Sequence, residues 1–475
     1  MMIIRYLSLI LLSVAVFASA YYCADLNTMA LAIIFLLSVE IVYCLVDVNK
    51  NITLLMFLVS FSTFLLGRIV MPLFSNIEDT VSKTGEVFSL NTNKHIYLSL
   101  FLSLLFVFGG FLVSNKKNYG FINTTTPSVT AIRKAVKKLC LFSFFFAVII
   151  TTEKVYMMFT QGYYALYVDY HSKLPYIITI LGSFYYYAFY IYLATLPSKS
   201  EAKLIIVSYM FIITLSLGTG QRGSFVLGLI FIITYFIIRN DLSKGEKPWI
   251  TKKVLIYGLL SMPLLVLALF AIAYIRLDAD VDTSSNIFLY FLYKQGVSAE
   301  VIGYTYDYEK YFPAGRIYIL GDIIDYLKHN MFSQFLFGTD AVEPQSVKHA
   351  LDDHSLDAAL TYFVKPYFYL EGGGLGGCYI AEAWKDLGYI GICFVNIIYG
   401  WLLAKIRYWG RTNIWKFSIG LIMFSQIIFA PRAHAIKFIS VFTSVGVLLI
   451  YLYLYVIKRN VSYGKSKVSL QQKSV

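Results

Sequence analysis

His95-Ile-Tyr-Leu-Ser-Leu-Phe-Leu-Ser-Leu-Leu-Phe-Val-Phe-Gly-Gly-Phe-Leu-Val-Ser114 runs without an acid, a lysine or an arginine. At about 1.5 Å of rise per residue, such a helix matches the roughly 30 Å hydrocarbon core of a bilayer. Segments of the same kind recur at about 4–20, 29–47, 53–74, 95–114, 139–160, 175–196, 203–219, 223–238, 254–275, 387–406, 416–430 and 435–457. The chain therefore reads as all-α: a polytopic integral membrane protein of about twelve transmembrane helices. Composition agrees, because 58% of the 475 residues are hydrophobic and only 14% are charged. Soluble domains carry about a quarter charged residues, and a soluble fold of this length has nowhere to bury so much apolar surface.

Charge gives the expected orientation. The formal net charge of +13 raises nucleic acid as a partner, but the cations fall in short clusters between apolar segments, so no nucleic-acid partner is implied. With the N-terminus on the cytoplasmic side, the inward loops hold Lys116, Lys117, Arg133, Lys134, Lys137 and Lys138, then Arg239, Lys244, Lys247, Lys252 and Lys253. Lys405, Arg407, Arg411 and Lys416 follow, and the tail carries Lys458, Arg459, Lys465 and Lys467. Outward loops hold far fewer, as the positive-inside rule requires, and both termini come out cytoplasmic. Residues 6–20 end in Ala18-Ser19-Ala20, which resembles a signal cleavage site, but the many later spans favour an uncleaved first helix. The five cysteines, Cys23, Cys44, Cys140, Cys378 and Cys393, are odd in number, lack metal-ligand spacing and read as small hydrophobes.

The expected organisation is an N-terminal transmembrane bundle of about nine helices over 1–275, a large outward loop subdomain over 276–386, C-terminal transmembrane helices over 387–457 and a basic cytoplasmic tail over 458–475. Loops as long as 276–386 are usually functional. Within it, residues 322–328 have the pattern of an amphipathic helix suited to a membrane surface.

Charges in or beside apolar segments cost energy and are functional candidates by default. Arg222 stands in the turn Thr219-Gly220-Gln221-Arg222-Gly223-Ser224, Arg276 where the ninth span enters the loop, and Arg432 in Pro431-Arg432-Ala433-His434 with Lys437 one turn on. Arg68 lies in the outer half of the third span, and Arg316 joins from the loop. For each, the structural alternative is an interfacial arginine that snorkels to headgroups or pairs with a carboxylate. Several arginines at one membrane face instead suit a phosphate or diphosphate, which the guanidinium fork binds bidentately. The loop adds Asp352-Asp353-His354-Ser355, Lys365, Glu371, the run Gly372-Gly373-Gly374-Leu375-Gly376-Gly377, and Glu382. Its acids and histidine are candidates for general-base work on a hydroxyl. Their spacing matches no firm metal pattern, and the glycine run lacks the context of a nucleotide loop. Tyr362, Tyr367 and Tyr369 are candidates for stacking on sugars, beside the plainer reading of 40 Tyr and 38 Phe as lipid-facing and interfacial side chains.

Three places make the chain resemble the Wzy-type O-antigen polymerases, the oligosaccharide repeat-unit polymerases of bacterial envelopes. The turn Gly218-Thr219-Gly220-Gln221-Arg222-Gly223 is similar to the family's glycine–X–arginine turn. The stretch from His354 through Gly377 to Ala381-Glu382-Ala383-Trp384-Lys385-Asp386-Leu387-Gly388 resembles the segment closing its large periplasmic loop, and Pro431-Arg432 its late outer-face arginine. These motifs cover under a tenth of the chain; the layout carries the rest. The resemblance implies a metal-independent glycosyltransferase in the bacterial inner membrane, with its active site facing the periplasm and no cofactor. Its donor and acceptor would be undecaprenyl-diphosphate-linked oligosaccharides, joined into O-antigen or a related surface polysaccharide of lipopolysaccharide biosynthesis. It assigns Arg222, Arg276, Arg432 and Arg316 to diphosphate binding, and His354 and Glu382 to catalysis or acceptor orientation. Membrane lipids and a chain-length regulator protein are the further partners it suggests. A lipid-linked glycan ligase shares the layout, and a flippase for the same lipid-linked unit has a similar span count, although no internal symmetry of the kind transporters show is visible.

Overall fold

The computed structural model of the protein describes residues 2–70, 73, 88–114, 126–163, 165–168, 172–243, 248–251, 257, 292–338 and 342–471. The described residues form helices and no strand. In chain order these are α1 (Met2–Cys23), α2 (Leu26–Val46), α3 (Val48–Val70), α4 (Leu90–Ser114), α5 (Pro127–Gln161), α6 (Tyr176–Ala194), α7 (Lys199–Thr219) and α8 (Arg222–Leu242). Six short helices follow: α9 (Ser298–Asp307), α10 (Gly321–His329), α11 (Met331–Phe337), α12 (Val347–Asp352), α13 (Leu356–Val364) and α14 (Pro366–Leu370). Then come α15 (Tyr379–Thr412), α16 (Ile414–Arg432) and α17, a bent pair Lys437–Thr443 and Val445–Val461 that meets at 67°. Among the described residues, ten helices, or eleven with the bent pair, are long and apolar enough to span a membrane. They coincide with the expected segments, except that the span expected at 254–275 lies, apart from Tyr257, outside the described residues, as does Arg276.

Local sequence explains the helix boundaries. Asp25 caps α2 by accepting from the Thr28 amide at 3.2 Å, and Ser198 with Glu201 forms a capping box that opens α7. Pro127 starts α5 well before the expected 139, because proline suits a first turn whose amides need no partner. Val129, Ile132, Val136 and Cys140 continue one buried stripe at helical spacing into the apolar part. The cations Arg133, Lys134, Lys137 and Lys138 therefore ride on helix, where a loop was expected.

The chain divides into two compact units: Met1–Lys116 with Ile250–Lys405 and Gln426–Lys437, and Lys117–Trp249 with Ile406–Ser425 and Phe438–Val475. In the first, α4 and α15 cross backbone to backbone. A Cβ on Gly110 would stand 2.3 Å from the Ile397 carbonyl oxygen, and one on Gly400 would stand 2.0 Å from that of Val107. Small residues at such a crossing maximise packing where no hydrophobic force separates helix from lipid. Thr53 Oγ1 donates to the Leu403 carbonyl at 2.8 Å, fixing α3 to α15, and Thr92 Oγ1 donates to Asp307 at 2.6 Å, fixing α4 to α9.

The second unit uses tyrosine as its connector. Tyr185 and Ser208 share a 2.9 Å hydrogen bond between α6 and α7. Tyr192 donates to the Glu201 carbonyl at 2.9 Å, and Tyr235 to that of Leu193 at 2.9 Å. All three tyrosines are fully buried, so part of the aromatic content serves interhelical bonding as well as lipid contact. At one end of this unit Asp241 accepts from Arg407 at 2.8 Å and from Arg411 at 2.6 Å.

Candidate functional site

In the first unit a cluster of charged groups surrounds His434, in the short segment between α16 and α17. Ala433 is extended there (φ −148°, ψ −177°), which turns the chain out of the Ala430–Arg432 helical turn. Glu382, one turn into α15 and fully buried, grips the segment with both carboxylate oxygens. One lies 2.6 Å from His434 Nδ1, and the other accepts the Ala435 amide at 2.7 Å. The Ala435 carbonyl in turn accepts from the Tyr399 hydroxyl at 2.6 Å. This segment is therefore held by α15 on two sides, and the His434 ring is oriented by its Nδ1 contact.

His434 Nε2 points at two further acids, each 3.9 Å away: Asp322 at the start of α10 and Asp357 at the start of α13. Both distances are too long for a direct hydrogen bond. Asp357 is anchored by the Ser355 hydroxyl at 2.5 Å, and Lys437 Nζ stands 3.4 Å from the other oxygen of Asp322. Burial works against the charged imidazole, but the carboxylates of Glu382, Asp357 and Asp322 outweigh it and raise the His434 pKa to about 10. Burial likewise opposes ionisation of Asp357, yet the His434 charge and the Ser355 hydroxyl bring it below the usual carboxylate range. The centre thus sets an imidazole biased toward its charged form among three acidic side chains. Its histidine is a donor and a cation; the groups able to accept a proton are the acids.

The glycine run packs behind this centre. Leu375 donates its amide to Thr361 Oγ1 at 3.1 Å, and a Cβ on Gly377 would touch Ala433 at 3.5 Å. Arg432 stands two residues before His434, its guanidinium 5.9 Å from the centre of the Phe64 ring.

The remaining expected residues are distributed differently. His354 is engaged with the loop backbone: its Nδ1 accepts the Ile317 amide at 2.9 Å, and its own amide donates to Asp325 at 2.9 Å. The imidazole that Glu382 holds is His434. Arg316 donates to the Leu351 carbonyl at 3.0 Å and stands 3.7 Å from Asp352. Arg222 opens α8 in the second unit, after Gly220 in the left-handed region (φ 75°). Arg68 forms a buried ion pair with Glu300 and covers the Tyr293 ring at 4.5 Å, the paired alternative weighed above. Tyr369 is buried and in contact with His349 at 3.0 Å, whereas Tyr367 is exposed.

Among the described residues, Asp325, His329 and Asp353 offer three ligand atoms within 4.8 Å of one another. Asp353 already accepts from His329 Nε2 at 2.8 Å and from Lys328 at 3.3 Å, and Asp325 from the His354 amide. The two acids are thus supplied with protein donors.

Reading missed His434 as a site residue. The signal was present in the tetrad Pro431-Arg432-Ala433-His434, but its pairing with Glu382 spans 52 residues.

The chain matches the family model of the O-antigen polysaccharide polymerase Wzy over residues 2–463. No curated protein and no solved structure gave a significant match. With nearly the whole chain matched, the protein belongs to the Wzy O-antigen polysaccharide polymerase family and is a multi-pass membrane protein.

Proposed function

We propose that this member of the Wzy family joins two undecaprenyl-diphosphate-linked oligosaccharides at the periplasmic face of the bacterial inner membrane, using the His434 centre. The observation that carries the reading is the His434 ring, clamped at Nδ1 by Glu382 and facing two carboxylates at 3.9 Å from Nε2. In the step proposed, the hydroxyl oxygen at the non-reducing end of a new repeat unit attacks C1 of the growing chain's first sugar. The bond from C1 to the diphosphate oxygen breaks, and undecaprenyl diphosphate leaves with the electron pair. The hydroxyl proton passes to Asp357 or Asp322. Arg432, His434 and Lys437 supply positive charge where the diphosphate develops its own.

Glu382 is a positioning residue in this scheme, since it fixes the orientation and charge of His434. Arg222 and Arg276 are proposed as further diphosphate-binding groups, which a reaction between two lipid diphosphates requires. Arg316 is assigned an orienting part beside Asp352, and His354 one in shaping the loop around Ile317. No nucleotide sugar is needed, because the lipid diphosphate is itself the leaving group. A chain-length regulator is a compatible partner.

The test uses purified full-length protein in liposomes with a synthetic lipid-diphosphate-linked repeat unit, read as a ladder on a gel. A ladder from the wild type that disappears in folded His434→Gln supports both the activity and the centre. Protein-dependent movement of labelled lipid across the bilayer without any ladder would leave a flippase instead. Transfer of one glycan block to an added lipid A core acceptor, without a ladder, would leave a ligase.

A further inference from the structure

Helix α10 is built inside out. Asp322, Asp325 and His329 lie at i, i+3 and i+7, on one face of the helix. In a water-facing subdomain that polar face belongs outside. Here each of its members has a protein partner: Lys437 and His434 for Asp322, the His354 amide for Asp325, and Asp353 for His329. On the opposite side Leu327 is exposed, and Tyr326, at the edge of the polar face, is exposed as well.

The following helix extends the exposed apolar surface. Asn330 turns the chain by accepting the Ser333 amide at 3.0 Å, and Gln334 Nε2 returns to the His329 carbonyl at 2.7 Å. The polar residues of α11 are used internally, and Phe335, Leu336 and Phe337 project at 86%, 66% and 78% exposure. Leu320, just before α10, is exposed as well. Three consecutive large apolar side chains so fully exposed are a liability in water and an anchor in lipid.

The level of this surface is fixed by contacts within the first unit. Asp322 is tied to Lys437, the first residue of α17. The amides of Tyr318 and Ile319 donate to Asp386 at 3.1 and 2.7 Å, two residues before the non-helical Gly388 of α15 (φ 59°, ψ −152°). The loop that leads into α10 is therefore pinned where two membrane-spanning segments begin.

We infer that α10 and α11 form an interfacial anchor whose outer face, centred on Phe335–Phe337, is embedded in the bilayer surface beside the mouths of α15 and α17. The same helix then carries lipid contact on one side and Asp322 of the His434 centre on the other. Neither the anchor nor its test depends on the polymerase reading.

The test places p-benzoylphenylalanine at position 335 of the otherwise unaltered full-length protein, a replacement close in shape to phenylalanine. The protein is reconstituted in vesicles of isotope-labelled phosphatidylethanolamine and phosphatidylglycerol and irradiated. The same probe at Phe394, exposed on α15, and at the buried Tyr304 sets the upper and lower limits. Lipid adduct at 335 near the Phe394 level, and at least about fivefold above Tyr304, is expected for a side chain in the acyl region. Adduct at the Tyr304 level, or cross-links from 335 only into polypeptide, would overturn the anchor. Should the Tyr304 variant fail to fold, nitroxide-lipid quenching of a fluorophore at Leu336→Cys, compared before and after detergent solubilisation, decides the same point: no quenching in vesicles refutes it.

Discussion

Two charge clusters, one in each unit, combine acidic and basic side chains in opposite proportions. Around His434 one imidazole faces three carboxylates, Glu382, Asp322 and Asp357. Around Asp241 one carboxylate holds two arginines, at 2.7 Å from Arg407 and 2.6 Å from Arg411. The Asp241 cluster is closed by short contacts, and its side chains are between 9% and 14% exposed. The His434 cluster is short on one side only: Nδ1 is locked at 2.6 Å, whereas Nε2 stands 3.9 Å from its acids. A cluster closed on all sides fastens helices. One closed on a single side holds a ring in place and keeps its other nitrogen directed at groups that can exchange protons.

The largest effect should come from breaking the lock. Glu382→Ala strands the Ala435 amide and the His434 charge, and removing one partner of a buried pair costs about 3–5 kcal/mol. Little folded protein is expected, measured by size exclusion and thermal unfolding. Glu382→Gln keeps an oxygen for the Ala435 amide but loses the charge and the acceptor that faces His434 Nδ1. It should fold and polymerise about 100-fold more slowly, the scale of losing one preorganised electrostatic group. Near wild-type ladders from Glu382→Gln would remove the lock from the mechanism.

Asp241→Asn probes the other cluster. It leaves two buried guanidinium groups facing a neutral amide, so stability should fall by about 3 kcal/mol with turnover per folded molecule unchanged. A selective loss of turnover would erase the distinction drawn between the clusters.

Acidity gives a smaller and signed effect. The pKa of His434 is about 10 in the folded protein, above the roughly 6.5 of a free imidazole. Its pairing therefore stabilises fully below about pH 6.5 and is lost as pH rises through about 10. The melting temperature should fall across that window, and the part of the fall absent from His434→Gln belongs to this residue. Equal slopes in both proteins would contradict the pairing. Smallest of all, Arg432→Lys keeps the charge and loses the planar fork; a drop of about tenfold in turnover is expected, without a change in melting temperature.

The spans were legible because apolar length is a local property: from His95 to Ser114 no tertiary information is needed. The start of α5 was less so, since Arg133 and Lys137 mark a water-facing strip of a helix as readily as a loop. The site was half legible. Glu382 and Arg432 stood out as charges beside apolar segments, but the Asp352–Ser355 run drew attention to His354 through local density, and the fold uses that ring to accept a backbone amide. His434 becomes prominent only when residues 382 and 434 meet, a contact made in three dimensions. Glu382 to His434 is a tertiary fact that no run of neighbours encodes.

The crossing of α4 and α15 limits how this protein can work as a machine. With a carbonyl oxygen where a side chain of Gly110 or Gly400 would be, the two helices have no cushion of side chains on which to slide, so they form one rigid strut. Glu382, which holds His434, stands on the arm of α15 that precedes Gly388. If the growing polymer is advanced by one repeat per cycle, the stroke belongs to parts that are not welded in this way. In that case α4 and α15 serve as the fixed bearing against which each repeat is measured.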